Sequence, residues 1–171
     1  MPSGSRRASL VMSRADLDAA KNVNIRRAVD RDAEAMMRLT RDAYQRYVER
    51  IGREPAPMVA DYTQLCEPAC AWVAEHEGRI VGVLVCEWAP DHLLIENVAV
   101  HESVRGRGLG IRLLQWAEQQ AQAAGVRQVR LYTNAAMHEN VAYYPRRGFR
   151  ETHRTEQDGR RLVFFAKDVE A

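Results

Sequence analysis

A chain of 171 residues, 46% hydrophobic and 28% charged, is sized for one globular domain with a full core. No apolar run approaches a membrane span, and a net charge of +2 is too small to argue for nucleic acid. Three cysteines (Cys66, Cys70, Cys86) with no secretory signal ahead of them predict a reduced, cytoplasmic setting. Cys66 and Cys70 lack a second Cys/His pair, so no metal is expected.

Residues 1–21 are polar and predict a disordered tail, with Met12 as an alternative start; one domain is expected over 22–171. Asn24 to Val29 alternates like a strand and meets Asp30, a plausible N-cap. From Asp32 apolar residues recur at helical steps until Gly52, Pro55 and Pro57. Met58 to Leu65 reads as a short second helix carrying Asp61 and Tyr62. Ala71–His76, Ile80–Trp88 and Leu93–Val100 then read as strands, the third interrupted by Glu96 and Asn97. A glycine-rich loop opens a helix from about Leu109 to Ala124, capped by Gly125. Gln128–Thr133 is a further strand. A short helix over Glu139–Arg147 stops at Gly148, and Phe149–Arg154 and Leu162–Ala166 close the chain across an Asp158-Gly159 turn. The class is α+β: a mixed, largely antiparallel sheet of six to seven strands flanked by helices.

The loop Val104-Arg-Gly-Arg-Gly-Leu-Gly110 is the most telling stretch. Glycines let backbone amides approach a ligand, and the following helix aims its positive end the same way, which makes a seat for phosphate. A dinucleotide motif starting at Gly106 would need glycine where Ile111 stands, and it belongs after the first strand. A P-loop needs Gly-Lys-Ser/Thr, which is missing. A single Arg-Gly-Arg-Gly is poor evidence for RNA binding.

Arg105-x-x-Gly108-x-Gly110 resembles the acyl-coenzyme A loop of the GNAT superfamily of N-acyltransferases. Three flanking segments resemble the family too. They are Glu96-Asn97-Val98-Ala99-Val100, Leu131-Tyr132-Thr133-Asn134, and Asn140-Val141-Ala142-Tyr143-Tyr144 followed by Gly148-Phe149. The resemblance spans roughly residues 23–168. One departure is Pro145, which removes a backbone donor and puts the aim of Tyr144 in question.

The resemblance implies transfer of an acetyl group from acetyl-CoA to a primary amine by direct attack in a ternary complex. It implies that the cofactor lies along Val98, Ala99, Val100, Arg105, Gly106, Arg107, Gly108, Leu109 and Gly110, with Asn134, Asn140 and Tyr144 contributing. The Val100 amide would hold the developing oxyanion. Capping of the last helix is the competing role for Asn140. Tyr144 matches the family's general acid; a proton passing from a phenol to a thiolate climbs only roughly 2 kcal/mol in water. The alternatives are that Tyr144 merely packs, or that Tyr143 does the work. Glu96 is the candidate base, and strand alternation would set it on one face with Val98 and Val100. Its competing role is a structural acceptor. Acceptor contacts are expected from the first two helices and the late hairpin: Tyr44, Met58, Asp61 and Tyr62, with Tyr47, Arg53 and the loop at Asp158. A small-molecule amine is the leading acceptor. A protein N-terminus or lysine, and a non-catalytic acyl-CoA sensor, are the alternatives. Homodimers are common in the family, and no stripe here specifies one.

Overall fold

The computed structural model describes residues 22–67 and 70–170, so the expected tail at residues 1–21 lies outside it. Strand β1 (Asn24–Arg27) enters the long helix α1 (Ala33–Ile51) through a 3-10 turn at Asp30–Asp32. Asp32, not Asp30, secures that entry. Its Oδ2 accepts from the Val29 amide at 2.9 Å, and Arg26 donates to both its oxygens at 2.7 and 3.0 Å. The same guanidinium holds this buried carboxyl below the usual aspartate range. The single helix expected at 58–65 is instead two short ones, α2 (Ala56–Val59) and α3 (Tyr62–Cys66). Ala60 is extended between them, and Asp61 caps α3 by accepting from the Thr63 and Gln64 amides at 3.1 and 3.3 Å.

Strands β2 (Ala71–His76), β3 (Arg79–Trp88), β4 (Leu93–Val100), β5 (Gln128–Asn134), β6 (Arg150–Gln157) and β7 (Arg160–Asp168) complete a seven-stranded sheet. Its order is β1-β2-β3-β4-β5-β7-β6, and only the β4–β5 pair is parallel. Helix α4 (Leu109–Ala123) follows the glycine loop, and α5 (His138–Tyr143) follows β5. The expected class is therefore observed.

Helices cover both faces of the central strands. On one side Met36 and Leu39 of α1 pack on Val73, Val83, Val85 and Ala99. On the other, Leu109, Leu113 and Ala117 of α4 pack on Trp72, Leu84, Leu131 and Phe165. That explains why β3 is buried continuously from Val81 to Cys86 instead of alternating. The three cysteines are buried thiols.

Helix α4 lies unusually close to the sheet at Gly82. A Cβ there would come 3.0 Å from the Ala74 Cβ and 3.1 Å from Leu113 Cδ1. Gly82→Val is expected to cost about 1–3 kcal/mol through overpacking, read as a lower urea midpoint at unchanged m.

Two irregularities shape the centre of the sheet. The β4–β5 ladder joins Leu93–Ile95 to Val129–Leu131 and goes no further, so the strands part beyond Ile95. The β3–β4 register also steps from Cys86↔Ile95 to Val85↔Asn97, leaving Glu96 as an extra residue in a bulge. The bulge reverses which side chains face which helix. Leu93 and Ile95 belong to the α4-side core, whereas beyond the bulge Ala99 belongs to the α1-side core and Val98 and Val100 pack towards α4. The expected single face for Glu96, Val98 and Val100 is thus corrected, because one inserted residue shifts the alternation.

Candidate active site

The parting strands open a cleft of about 330 Å³. Val98, Ala99 and Val100 form one wall, Arg105, Gly106, Gly108, Leu109 and Gly110 the floor, and Asn140, Tyr143, Tyr144 and Arg147 the opposite side. Backbone direction along β4 suits an extended ligand. The His101 amide donates to the Val81 carbonyl of β3 at 2.9 Å, so by strand alternation the Ala99 amide also faces β3. The Val98 and Val100 amides then face the gap.

Gly106 and Gly108 have φ of 73° and 81°, in the left-handed region, and a Cβ at either would meet nothing within 4 Å. Backbone conformation, not crowding, calls for glycine there. Gly110 is the tight position: its Cβ would lie 3.4 Å from the Tyr143 hydroxyl. Among the described residues no side chain caps α4, so the first amides of this 15-residue helix remain available beside the loop.

The cleft is cationic. Arg46, Arg105 and Arg147 line it, and no carboxylate does. Arg147 lies over the Tyr143 ring at 4.7 Å, and its buried Nε lacks a hydrogen-bond partner among the described residues. A buried, unmatched guanidinium N–H calls for an anionic acceptor from outside the chain. Arg105 fits the same role, whereas Arg107 does not line the cleft. Arg147 and Arg46 were not singled out in the sequence, where an arginine in a turn or on a helix reads as a solvated charge.

Tyr144 is held firmly despite Pro145. Helix α5 ends at Tyr143, and Pro145 begins a 3-10 turn, where its missing N–H is not needed. The Tyr144 amide donates to Asn140 O at 3.2 Å, and its carbonyl accepts from the Arg147 and Phe149 amides at 2.9 and 3.3 Å. Its ring packs against Phe149 and Phe165 at centroid separations of 6.0 and 5.6 Å. Burial pushes its phenol well above the usual tyrosine range. The hydroxyl therefore stays protonated at neutral pH, and no described residue hydrogen-bonds it. Tyr144 also lies within electrostatic reach of Tyr44 and Tyr47. Tyr143 instead places its hydroxyl against the first turn of α4.

A second cavity of about 150 Å³ adjoins the first, and Tyr44 and Met137 line both. Glu96, Tyr132 and Asn134 line it from the sheet, Arg53, Glu54 and Pro55 from the loop after α1, Ala56 and Pro57 from the start of α2, and Arg160 and Leu162 from β7. Arg53 donates to the Asp158 carbonyl at 2.8 Å, joining that loop to the β6–β7 turn. Burial, reinforced by the like charge of Glu87, raises the Glu96 carboxyl above its ordinary range.

The remaining expectations sort themselves by place. Asn134 lines the second cavity, not the cofactor-sized cleft, and its Oδ1 accepts from the Ala136 amide at 2.9 Å. Asn140 lies inside α5 and caps nothing; its Nδ2 donates to Thr133 Oγ1 at 3.3 Å. Of the four acceptor candidates only Tyr44 lines either of these two cavities. Asp61 is spent on capping α3, and Met58 is buried in the core. Tyr62 is taken up by a buried network that the sequence hid. Asn97 Nδ2 donates to Thr40 Oγ1 and the Tyr62 hydroxyl at 3.1 and 3.0 Å. Its Oδ1 accepts from the Tyr44 hydroxyl at 3.1 Å, and the Tyr62 hydroxyl donates to Pro57 O at 2.7 Å.

The profile of the Acetyltransferase (GNAT) family matches residues 33–149. Among curated proteins, aminoalkylphosphonate N-acetyltransferase of Salmonella typhimurium is 34% identical over 59 residues, covering 34% of this chain and 38% of that protein. N-acetyltransferase family 8 member 3 of Rattus norvegicus is 30% identical over 90 residues, covering 49% and 40% respectively. The chain thus spans about two fifths of the curated relatives it matches. Among solved structures, the PaiA N-acetyltransferase of Thermoplasma acidophilum, in complex with coenzyme A, superposes with a TM-score of 0.72. It is 15% identical, and the match covers 85% of this chain and 98% of that one.

Proposed function

Because this chain belongs to the GNAT acetyltransferase family, we propose that it transfers an acetyl group from acetyl-CoA to a primary amine of a small molecule. The observation that carries this reading is the pair of cavities meeting at the parted strands. One is cationic and walled by free β4 amides, the other is small and holds a carboxylate, and Tyr44 and Met137 stand between them.

Bound acetyl-CoA supplies an activated thioester, and the chain's residues do the rest. Loop amides, the start of α4, Arg105 and Arg147 suit the phosphates, and the Val98 and Val100 amides suit the pantetheine arm. The amine attacks the thioester carbonyl, the new N–C bond forms and the C–S bond breaks. The Val100 amide stabilises the charge that develops on oxygen. Glu96 takes the proton lost by the amine, directly or through water, and Tyr144 gives one to the departing sulfur. Burial weakens Tyr144 as an acid, but the thiolate is desolvated in the same cleft and becomes more basic in step.

A small acceptor is favoured over a protein because the cavity at Glu96 is small. At about 150 Å³ it holds on the order of five water volumes. In the relative from Salmonella typhimurium, the acceptor class named is also a small amine.

The pH profile of thiol release with an amine acceptor tests the base. Glu96 works deprotonated, and its pKa is raised, so kcat/KM climbs with pH through a value above the ordinary glutamate range. The acceptor ammonium itself titrates far higher, near about 10 for an alkylamine. Glu87→Gln removes the like charge and moves the acidic limb to lower pH. Glu96→Gln abolishes that limb and lowers kcat/KM by about 10²-fold. An acidic limb unmoved in both variants contradicts the assignment.

A further inference from the structure

Four charged side chains line the second cavity: Glu54, paired with Arg41 at 2.7 Å, Arg53, bound to the Asp158 carbonyl, and Glu96 and Arg160, whose charges are left to a ligand. Glu96 stands on the strand side, and Glu87, near it on the adjacent strand β3, reinforces its negative charge. Neither carboxylate forms a salt bridge among the described residues. Arg160, at the start of β7, also lines the cavity, with β5 lying between its strand and β4. The Tyr132 hydroxyl lies between the poles, within electrostatic reach of Glu96 and Glu87 on one side and Arg160 on the other.

Arg160 lacks the partners that three other arginines of this region have, and Arg161, also without an ion pair among the described residues, does not line the cavity. Arg150 is paired with Asp168 at 2.9 Å, Arg154 with Glu151 at 2.7 Å, and Arg53 is bound to the Asp158 carbonyl. Arg160 has no ion pair or side-chain hydrogen bond among the described residues. A cavity lined by the unpaired Glu96 carboxylate, with Glu87 close behind it, and by an unmatched guanidinium matches a ligand carrying both charges in reverse. A diamine would set its second cation against Arg160, and an uncharged amine would leave the guanidinium without a counter-charge.

Resting on the reading of this cavity as the acceptor pocket, we propose that the acceptor is a compact zwitterion, a primary amine bearing a carboxylate or phosphonate a few bonds away. Its ammonium end lies at Glu96 and Glu87, from which it loses a proton before attack. Its anionic end lies on Arg160, which is a specificity residue and takes no part in proton transfer. The volume limits the spacing between the two ends to a short chain.

The test compares four acceptors of similar length with acetyl-CoA: 3-aminopropanoate, 2-aminoethylphosphonate, propylamine and 1,3-diaminopropane. The two anionic amines are expected to exceed the other two in kcat/KM by about 10- to 100-fold, the span of a charge-assisted contact. Their ratio to each other tells carboxylate from phosphonate. In Arg160→Gln the preference for an anionic acceptor over propylamine falls to near unity through KM, and Arg160→Glu turns the preference towards the diamine. Arg160 is exposed, and thermal melts of both variants check that the fold is kept. Preference for the diamine or propylamine in the wild type, turnover confined to peptide amines, or an unchanged preference in Arg160→Gln overturns the inference while leaving N-acetyl transfer intact. Saturable acetyl-CoA binding without turnover of any amine overturns both.

Discussion

Tyr144→Phe is expected to lower turnover by ~10²–10⁴-fold while acetyl-CoA affinity, measured by calorimetry, stays within about twofold. The substitution removes one oxygen and keeps the ring, so packing against Phe149 and Phe165 survives. What is lost is the proton for the departing sulfur. A thiolate leaving without it must build full negative charge in a cleft that is partly dehydrated, and the barrier rises accordingly. Two controls sharpen the result. Tyr143→Phe removes a hydroxyl that rests on the first turn of α4, so its effect should fall on cofactor KM. An acyl donor with a more acidic thiol should restore much of the turnover of Tyr144→Phe, because such a sulfur needs less help to leave. Wild-type turnover in Tyr144→Phe, or no rescue by the better leaving group, removes the role.

The second large effect concerns stability. Asn97→Leu is expected to destabilise the fold by about 2–4 kcal/mol, with a fall in Tm of roughly 6–12 °C. Asn97 is only 4% exposed, and three groups depend on its amide: the hydroxyls of Tyr44, Tyr62 and Thr40. Leucine keeps the branched shape, but these hydroxyls lose their Asn97 partner inside the protein, where an unmade hydrogen bond costs more than a made one returns. Function should suffer at the same time. Tyr44 loses the contact that orients it between the two cavities, and the Tyr62 hydroxyl, which donates to Pro57 O in the lining of the second cavity, loses its Asn97 partner. Acceptor KM should therefore rise more than cofactor KM. Unchanged melting together with an unchanged acceptor KM would show the network to be idle.

The sequence was most readable where one residue type has one physical use. Glycines 106, 108 and 110 before an apolar 3.6-residue period announced both the loop and α4, and the Asp158-Gly159 turn announced the last hairpin. Tyr144 could be placed by its spacing from Gly148. Pro145 looked threatening only because the end of α5 was set too late; once the helix stops at Tyr143, the proline starts a turn it suits. The bulge at Glu96 was invisible, since an extra residue in a strand leaves the string of letters looking like an uninterrupted strand. With it went the facing of Glu96 and the meaning of Asn97, which looked like a flaw in β4 and is a buried junction. Asp61 suited either an ammonium or a helix end, and the local amides claimed it. Arg147, Arg160 and Glu87 share one difficulty: charged letters look alike until the fold shows which of them lack a mate.

The contact between Arg53 and the Asp158 carbonyl has a bearing on how such an enzyme changes its diet. One solvent-facing hydrogen bond of this kind is worth about 1 kcal/mol, so the turn it tethers is easily displaced or rebuilt. The cofactor side rests on sheet and helix packed to contact distance, as Gly82 shows, and tolerates little. Under the proposed function, mutations at residues 52–57 and 157–160 can therefore explore new amines at small thermodynamic risk, while the cleft beside α4 is inherited almost unaltered.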